Sequence, residues 1–218
     1  MSELNLYDLE KYKSLSSLED ASNELKKKEP KFKELLKKIM DLAKSRKIEL
    51  GLRLIHSHDI PLEDGQAMVE NFGNYQDKPA LITSAAIPNR ETYPASWILC
   101  DNKYLVFEYS TDLRVKQVYE KLLEDSSALD EISAHIRQYN LDSLIGPCIV
   151  AREAMTKFDI GQGQVLGEDT VKVGDKYVNI IQSRPNEESK HIEALWGAKV
   201  NNFCMTMVKC WFGKCDYH

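Results

Sequence analysis

The chain is predicted to be α+β: a single domain with a largely antiparallel sheet flanked by helices. Three observations carry this. Apolar residues recur at helical spacing near the start and again in the middle of the chain. Apolar runs that suit strands, broken by short polar turns, lie between and after those helices. The 218 residues, 43% hydrophobic and 29% charged, are enough for one core and match no disordered or fibrous composition.

Residues 1–29 read as a polar N-terminal segment, and 30–218 as the domain. Phe32, Leu35, Leu36, Ile39 and Ala43 fall on one face of a helix that ends near Lys47. Leu50, Leu52, Leu54 and His56 would share one face of the strand that follows. Pro61 to Gly65 interrupts it, and a connection follows with a short helix at Gln66–Asn71. Extended character resumes at Ala80–Thr83. Ser96–Cys100 and Tyr104–Tyr109 flank Asp101-Asn102-Lys103, which is a hairpin signal. Val115, Val118, Tyr119 and Leu122 mark one helix and Leu129, Ile132, Ile136 and Tyr139 a second, opened by Ser127 with Asp130 three residues on; together they suggest an antiparallel helix pair. Strand character returns over 144–151, 164–173, 177–182 and 194–212, with a second hairpin at Gly174-Asp175.

Net charge is −5, against the basic surface that nucleic acid requires. Residues 21–50 nevertheless carry ten Lys/Arg against five Asp/Glu. A solvated helix face is the ordinary reading of that run, and a surface for an acidic protein partner is the alternative. No apolar stretch is long enough to span a membrane, and no cationic segment leads into an apolar run at the start, so a cytoplasmic protein is expected. The five cysteines are an odd number without scaffold spacing, which suits reduced thiols.

Chemistry is best sought at His56-Ser57-His58. Two histidines at i and i+2 of an extended segment point the same way, about 7 Å apart, from where both rings can converge on one ion. Glu108 is the third candidate ligand: on an alternating strand it shares its face with Tyr104, Val106 and Ser110, while Leu105, Phe107 and Tyr109 take the other. Two imidazoles and one carboxylate suit a divalent metal such as zinc or iron. Without metal, the same His56, His58 and Glu108 suit general acid–base catalysis. Arg53, Tyr93 and Trp97 are the candidate ligand-binding residues beside them, although a Trp that opens an apolar strand is ordinarily core.

Other patterns carry less. Cys204, Cys210, Cys215 and His218 lack a paired C-x-x-C, and on one strand Cys204 and Cys210 stand about 20 Å apart. Gly161-Gln162-Gly163 with Gly167 lacks the spacing and the Lys-Ser/Thr of a phosphate loop. Cys100 or Cys148 with His135 has no local support as a nucleophilic pair.

The segments Leu50-Gly51-Leu52-Arg53-Leu54-Ile55-His56-Ser57-His58, Tyr93-Pro94-Ala95-Ser96-Trp97 and Phe107-Glu108-Tyr109-Ser110-Thr111 resemble the ordered landmarks of a group of uncharacterised, mostly fungal, proteins. The resemblance spans about residues 49–150 and implies no activity. It implies that His56, His58, Tyr93, Trp97 and Glu108 belong to one unit. The functional expectation is a small-molecule-binding protein, with an enzymatic role for His56, His58 and Glu108 in view. A non-catalytic interaction module built on the basic helix is the alternative.

Overall fold

Strands in this chain are long enough to reach around and close. The computed structural model describes residues 3–153, 164–174, 176–185, 191–197 and 208–211. In chain order they form a 3-10 turn (Glu3–Asn5), α1 (Leu9–Lys13), α2 (Leu18–Lys27), α3 (Glu29–Arg46), β1 (Leu50–Leu54), β2 (Ala67–Tyr75), β3 (Lys78–Ala86), β4 (Tyr93–Cys100) and β5 (Lys103–Ser110). There follow α4 (Leu113–Glu124), α5 (Ser127–Gln138), β6 (Ile145–Ile149), β7 (Gln164–Val173), β8 (Lys176–Pro185), β9 (His191–Gly197) and β10 (Val208–Trp211).

The strands close into a barrel in the order β1-β6-β4-β5-β2-β3-β8-β7-β10-β9, with β9 returning to β1. The fold is mixed helix and strand, as expected, but the sheet is mixed rather than largely antiparallel. β2 runs parallel to β5, and β10 parallel to β7. Each parallel pair joins strands with other strands between them in the chain, a contact that turn signals cannot announce.

Local chemistry explains the hairpins. Asp101 and Asn102 both adopt left-handed backbone (φ 46° and 61°), which short polar side chains tolerate and a primed two-residue turn demands. The same geometry at Gln76 and Asp77 closes a β2/β3 hairpin, so the short helix expected at Gln66–Asn71 is instead the start of β2. Met68 and Glu70 there face the interior, and strand pairing on both sides overrides the weak helical pattern.

The helices cover one side of the barrel. Leu50, Leu52 and Leu54 of β1 and Ala95, Trp97 and Leu99 of β4 share a core with Leu35 and Ile39 of α3, Val115 and Leu122 of α4, and Leu129, Ile132 and Ile136 of α5. The middle helices therefore pack individually on the sheet, α4 on β4 and β6 and α5 on β6 and α3. The cap of α5 lies one residue earlier than its pattern suggests: Ser126 Oγ donates to Asp130 Oδ2 at 2.7 Å. Residues of the polar N-terminal segment also reach the core, with Leu4, Ala21 and Leu25 in the helix-side cluster and Tyr12 stacked on Phe107.

Candidate functional site

On the opposite face of the strands, inside the barrel, the sequence places charge. Along β1, Leu50, Leu52 and Leu54 face the helices, so Arg53 faces inward and is buried. β1 stops at Leu54, and the following residues are tied to three separate elements. Ile55 N–H donates to Leu144 O at 2.8 Å, Ser57 N–H to Ser16 O at 2.8 Å, and His58 N–H to the Tyr12 hydroxyl at 3.3 Å. These bonds hold His56 and His58 side by side, ring centroids 4.8 Å apart. The expected same-side pair therefore forms, but against Phe107 (6.0 and 5.6 Å) rather than on the Leu50–Leu54 face.

Glu108 arrives by a bulge. Trp97 pairs with Val106 and Ser96 with Glu108, which leaves Phe107 as an extra residue on β5. A bulge of this kind re-aims side chains. Leu105, Phe107 and Glu108 accordingly belong to the interior, while Val106 and Tyr109 join the helix-side core. The strict alternation expected for this strand fails for that reason.

The Glu108 carboxylate accepts from Arg53 Nη2 at 2.8 Å and from His58 Nε2 at 2.9 Å on Oε1, and from Ser96 Oγ at 3.3 Å on Oε2. Glu168 of β7 stands across the barrel, with Oε2 at 3.6 Å from Arg53 Nη2. Asn179 of β8 donates through Nδ2 to Glu168 Oε1 at 3.0 Å and contacts His58 Nδ1, and its Oδ1 accepts from Thr170 Oγ1. A second buried pair lies apart from these: Arg152 Nε donates to Glu70 Oε1 at 2.5 Å, where Ser110 Oγ also donates at 3.0 Å. Glu168, Asn179, Ser96, Glu70 and Arg152 carry no local signal in the sequence, because strand pairing alone brings them inside.

Burial by itself would raise the Glu108 carboxyl, but the Arg53 guanidinium, followed by His58, outweighs it and holds the group well below the usual carboxylate range. For His56 burial prevails: desolvation first, then the neighbouring His58 and Arg53, outweigh the Leu54 carbonyl and Glu108 and hold its imidazole well below the ordinary histidine range. Its Nδ1 lies 3.0 Å from Leu54 O. A carbonyl only accepts, so Nδ1 carries the proton and Nε2 holds the lone pair.

That shift sets a pH dependence. Below the ordinary histidine value of about 6.5, the unfolded chain binds a proton at His56 that the native chain refuses, so stability falls as pH drops. The slope from this group approaches about 1.4 kcal/mol per pH unit. Urea unfolding of wild type and His56→Gln at pH 7.5, 6.5 and 5.5 is expected to show a shallower pH dependence in the variant; parallel curves would refute the assignment.

Of the expected ligand set His56, His58 and Glu108, the carboxylate is already engaged by other side chains. Glu108 Oε1 is held between a guanidinium and an imidazole, and a cation there would sit against Arg53. Among the described residues, no three His, Cys, Asp or Glu side chains gather to hold a metal ion.

The expected binding residues separate. Arg53 belongs to the cluster. Trp97 is fully buried under the helices and donates its indole N–H to Leu4 O at 2.9 Å, so it is core. Tyr93 lies at the helix side with Lys116 5.5 Å from its ring centroid. Cys148 is an interior thiol whose burial pushes it up to about 12, too high for a nucleophile, while His135 is partly exposed on α5. Gly161 to Gly163 and the side chains of Cys204, Cys210, Cys215 and His218 lie outside the described residues. On the basic helices, Lys27 pairs with Glu24, Lys33 with Glu29, and Lys38 covers Tyr139 at 5.2 Å, as on a solvated face. No described helix is long and apolar enough to cross a membrane.

Compared with family models, curated proteins and solved structures, the chain matches none.

Proposed function

We propose that the barrel interior binds a small molecule, with His56 as hydrogen-bond acceptor and general base and the His58–Glu108–Arg53 group as the polar wall beside it. The observation that carries this reading is the His56 ring, 2% exposed, with its tautomer set by Leu54 O and its Nε2 lone pair unused by any described residue. An acceptor at so enclosed a ring, with no protein donor on it, is one that a ligand hydroxyl or amine can satisfy. His58 is the less suitable base, since Glu108 and Asn179 engage both its ring nitrogens. It acts instead as a fixed neighbour that orients the ligand. At neutral pH the unprotonated His56 accepts a proton from a ligand hydroxyl or amine at Nε2.

Thermal unfolding of wild type and His56→Gln against a panel of small polar metabolites tests the reading. At least one compound is expected to raise Tm by about 2 °C or more in wild type and not in the variant. A panel without such a compound, or equal shifts in both proteins, overturns it.

A further inference from the structure

We infer that residues 8–16 are a lid: they leave the end of the barrel as a unit, while the barrel stays closed, and so open the way to the interior site. The inference rests on the binding reading above for what the opening serves.

Both ends of this segment are fixed. Isolated bridges join Leu6 to Leu105 of β5 and Ser17 to Ser57 after β1, and Val106 N–H donates to Leu6 O at 2.6 Å. Between those ends the attachment is thin. Of residues 8–16 only Tyr12 is buried, at 3% exposed, with Leu9 and Leu15 half-buried against the same apolar cluster. The helix α1 has five residues, too few to persist without a surface to lie on. Its caps are internal: Lys11 N–H donates to Asp8 Oδ1 at 2.9 Å, and Ser14 Oγ to Lys11 O at 2.7 Å.

What the segment covers is the site. Tyr12 stacks on Phe107 at 5.8 Å, and the Phe107 ring lies 5.6 Å from His58 and 6.0 Å from His56. The Tyr12 hydroxyl accepts from His58 N–H at 3.3 Å, and Ser16 O accepts from Ser57 N–H and Oγ at 2.8 and 3.2 Å. Arg53, His56, His58, Glu108 and Glu168 are all under a tenth exposed, so a ligand reaches them only after something moves. Releasing residues 8–16 breaks one aromatic anchor and the bonds to Ser57 and His58, while the β1/β6 and β4/β5 ladders and the helix-side core stay intact. Segments held by so little buried surface are the ones that open locally, short of global unfolding.

Hydrogen exchange of the ligand-free protein, read amide by amide by NMR, tests this. Ser57 and His58 N–H are bonded to the lid, whereas Ile55 N–H is bonded to Leu144 O at 2.8 Å and reports the barrel. After correction for intrinsic rates, Ser57 and His58 are expected to exchange at least about tenfold faster than Ile55. Ile132→Val, in the helix-side core, is expected to speed Ile55 by about two- to tenfold and to leave Ser57 and His58 unchanged, because the lid opens without disturbing that core. Tyr12→Leu is expected to speed Ser57 at least about fivefold, although Ser57 is bonded to Ser16, since the segment leaves as one piece. Equal protection of Ile55, Ser57 and His58 in wild type, or a Ser57 rate indifferent to Tyr12→Leu, overturns the lid. No ligand takes part, so a ligand panel without a hit strikes the binding reading and not this measurement, while a hit without local opening strikes the lid alone.

Discussion

Arg53→Met is expected to lower the unfolding free energy by about 3–5 kcal/mol, the range for breaking a buried ion pair by removing one partner. The loss is large because two carboxylates, Glu108 and Glu168, depend on that guanidinium and both are buried. Its pH dependence distinguishes an electrostatic cause from lost packing. In wild type the depressed Glu108 carboxyl contributes stability above the unfolded-state value of about 4.3, and that contribution is lost as pH falls through the lower native value. Without Arg53, burial raises the carboxyl instead, so the native variant takes up a proton before the unfolded chain does. The deficit of the variant should accordingly shrink between pH 7.5 and pH 5 in urea unfolding. Adding Glu108→Leu should recover part of the loss, since an apolar replacement removes the stranded charge. A deficit under about 1 kcal/mol at both pH values would show that the pair does not hold the barrel together.

Gly146→Ala is expected to be strongly destabilising. Gly146 pairs with Arg53 across β1/β6, and a Cβ there would lie 1.9 Å from Trp97 O and 2.9 Å from Ile55 Cδ1. The nearer atom is backbone, so relief requires β4 to move away from β6, and β4 carries Trp97 into the helix-side core. Overpacking ordinarily costs about 1–3 kcal/mol, and a strand displacement should exceed about 3. Gly51→Ala meets Trp196 O at 2.1 Å and should behave alike, whereas Gly65→Ala has open space around it and a left-handed backbone (φ 79°), so only a modest strain cost is expected. Denaturation midpoints of the three variants give the order; a Gly146→Ala protein as stable as Gly65→Ala would contradict the packing described.

What can be read in the chain follows from the range of the interaction. Helices α3, α4 and α5 are visible because a helix repeats its apolar residues within two turns, and the β4/β5 hairpin because Asp101-Asn102 suits a left-handed turn. The short segment Leu54–His58 is likewise legible as a place where two rings point the same way. β2 was hidden because its strand character depends on partners on both edges rather than on its own alternation. The bulge that turns Glu108 inward depends on the offset between β4 and β5, which one strand by itself does not encode.

By itself the amino-acid sequence determined the mixed helix and strand character, the covering helices, and Arg53, His56, His58 and Glu108 as the residues to watch, since propensity, periodicity and side-chain chemistry are local properties. Barrel closure alone decided that Glu168 and Asn179 complete the cluster, that Arg53 and His58 both engage the Glu108 carboxylate, and that Trp97 is core. Those outcomes depend on which strands meet across the barrel, and residues more than a hundred positions apart, such as His58 and Asn179, are brought into contact only when the sheet closes.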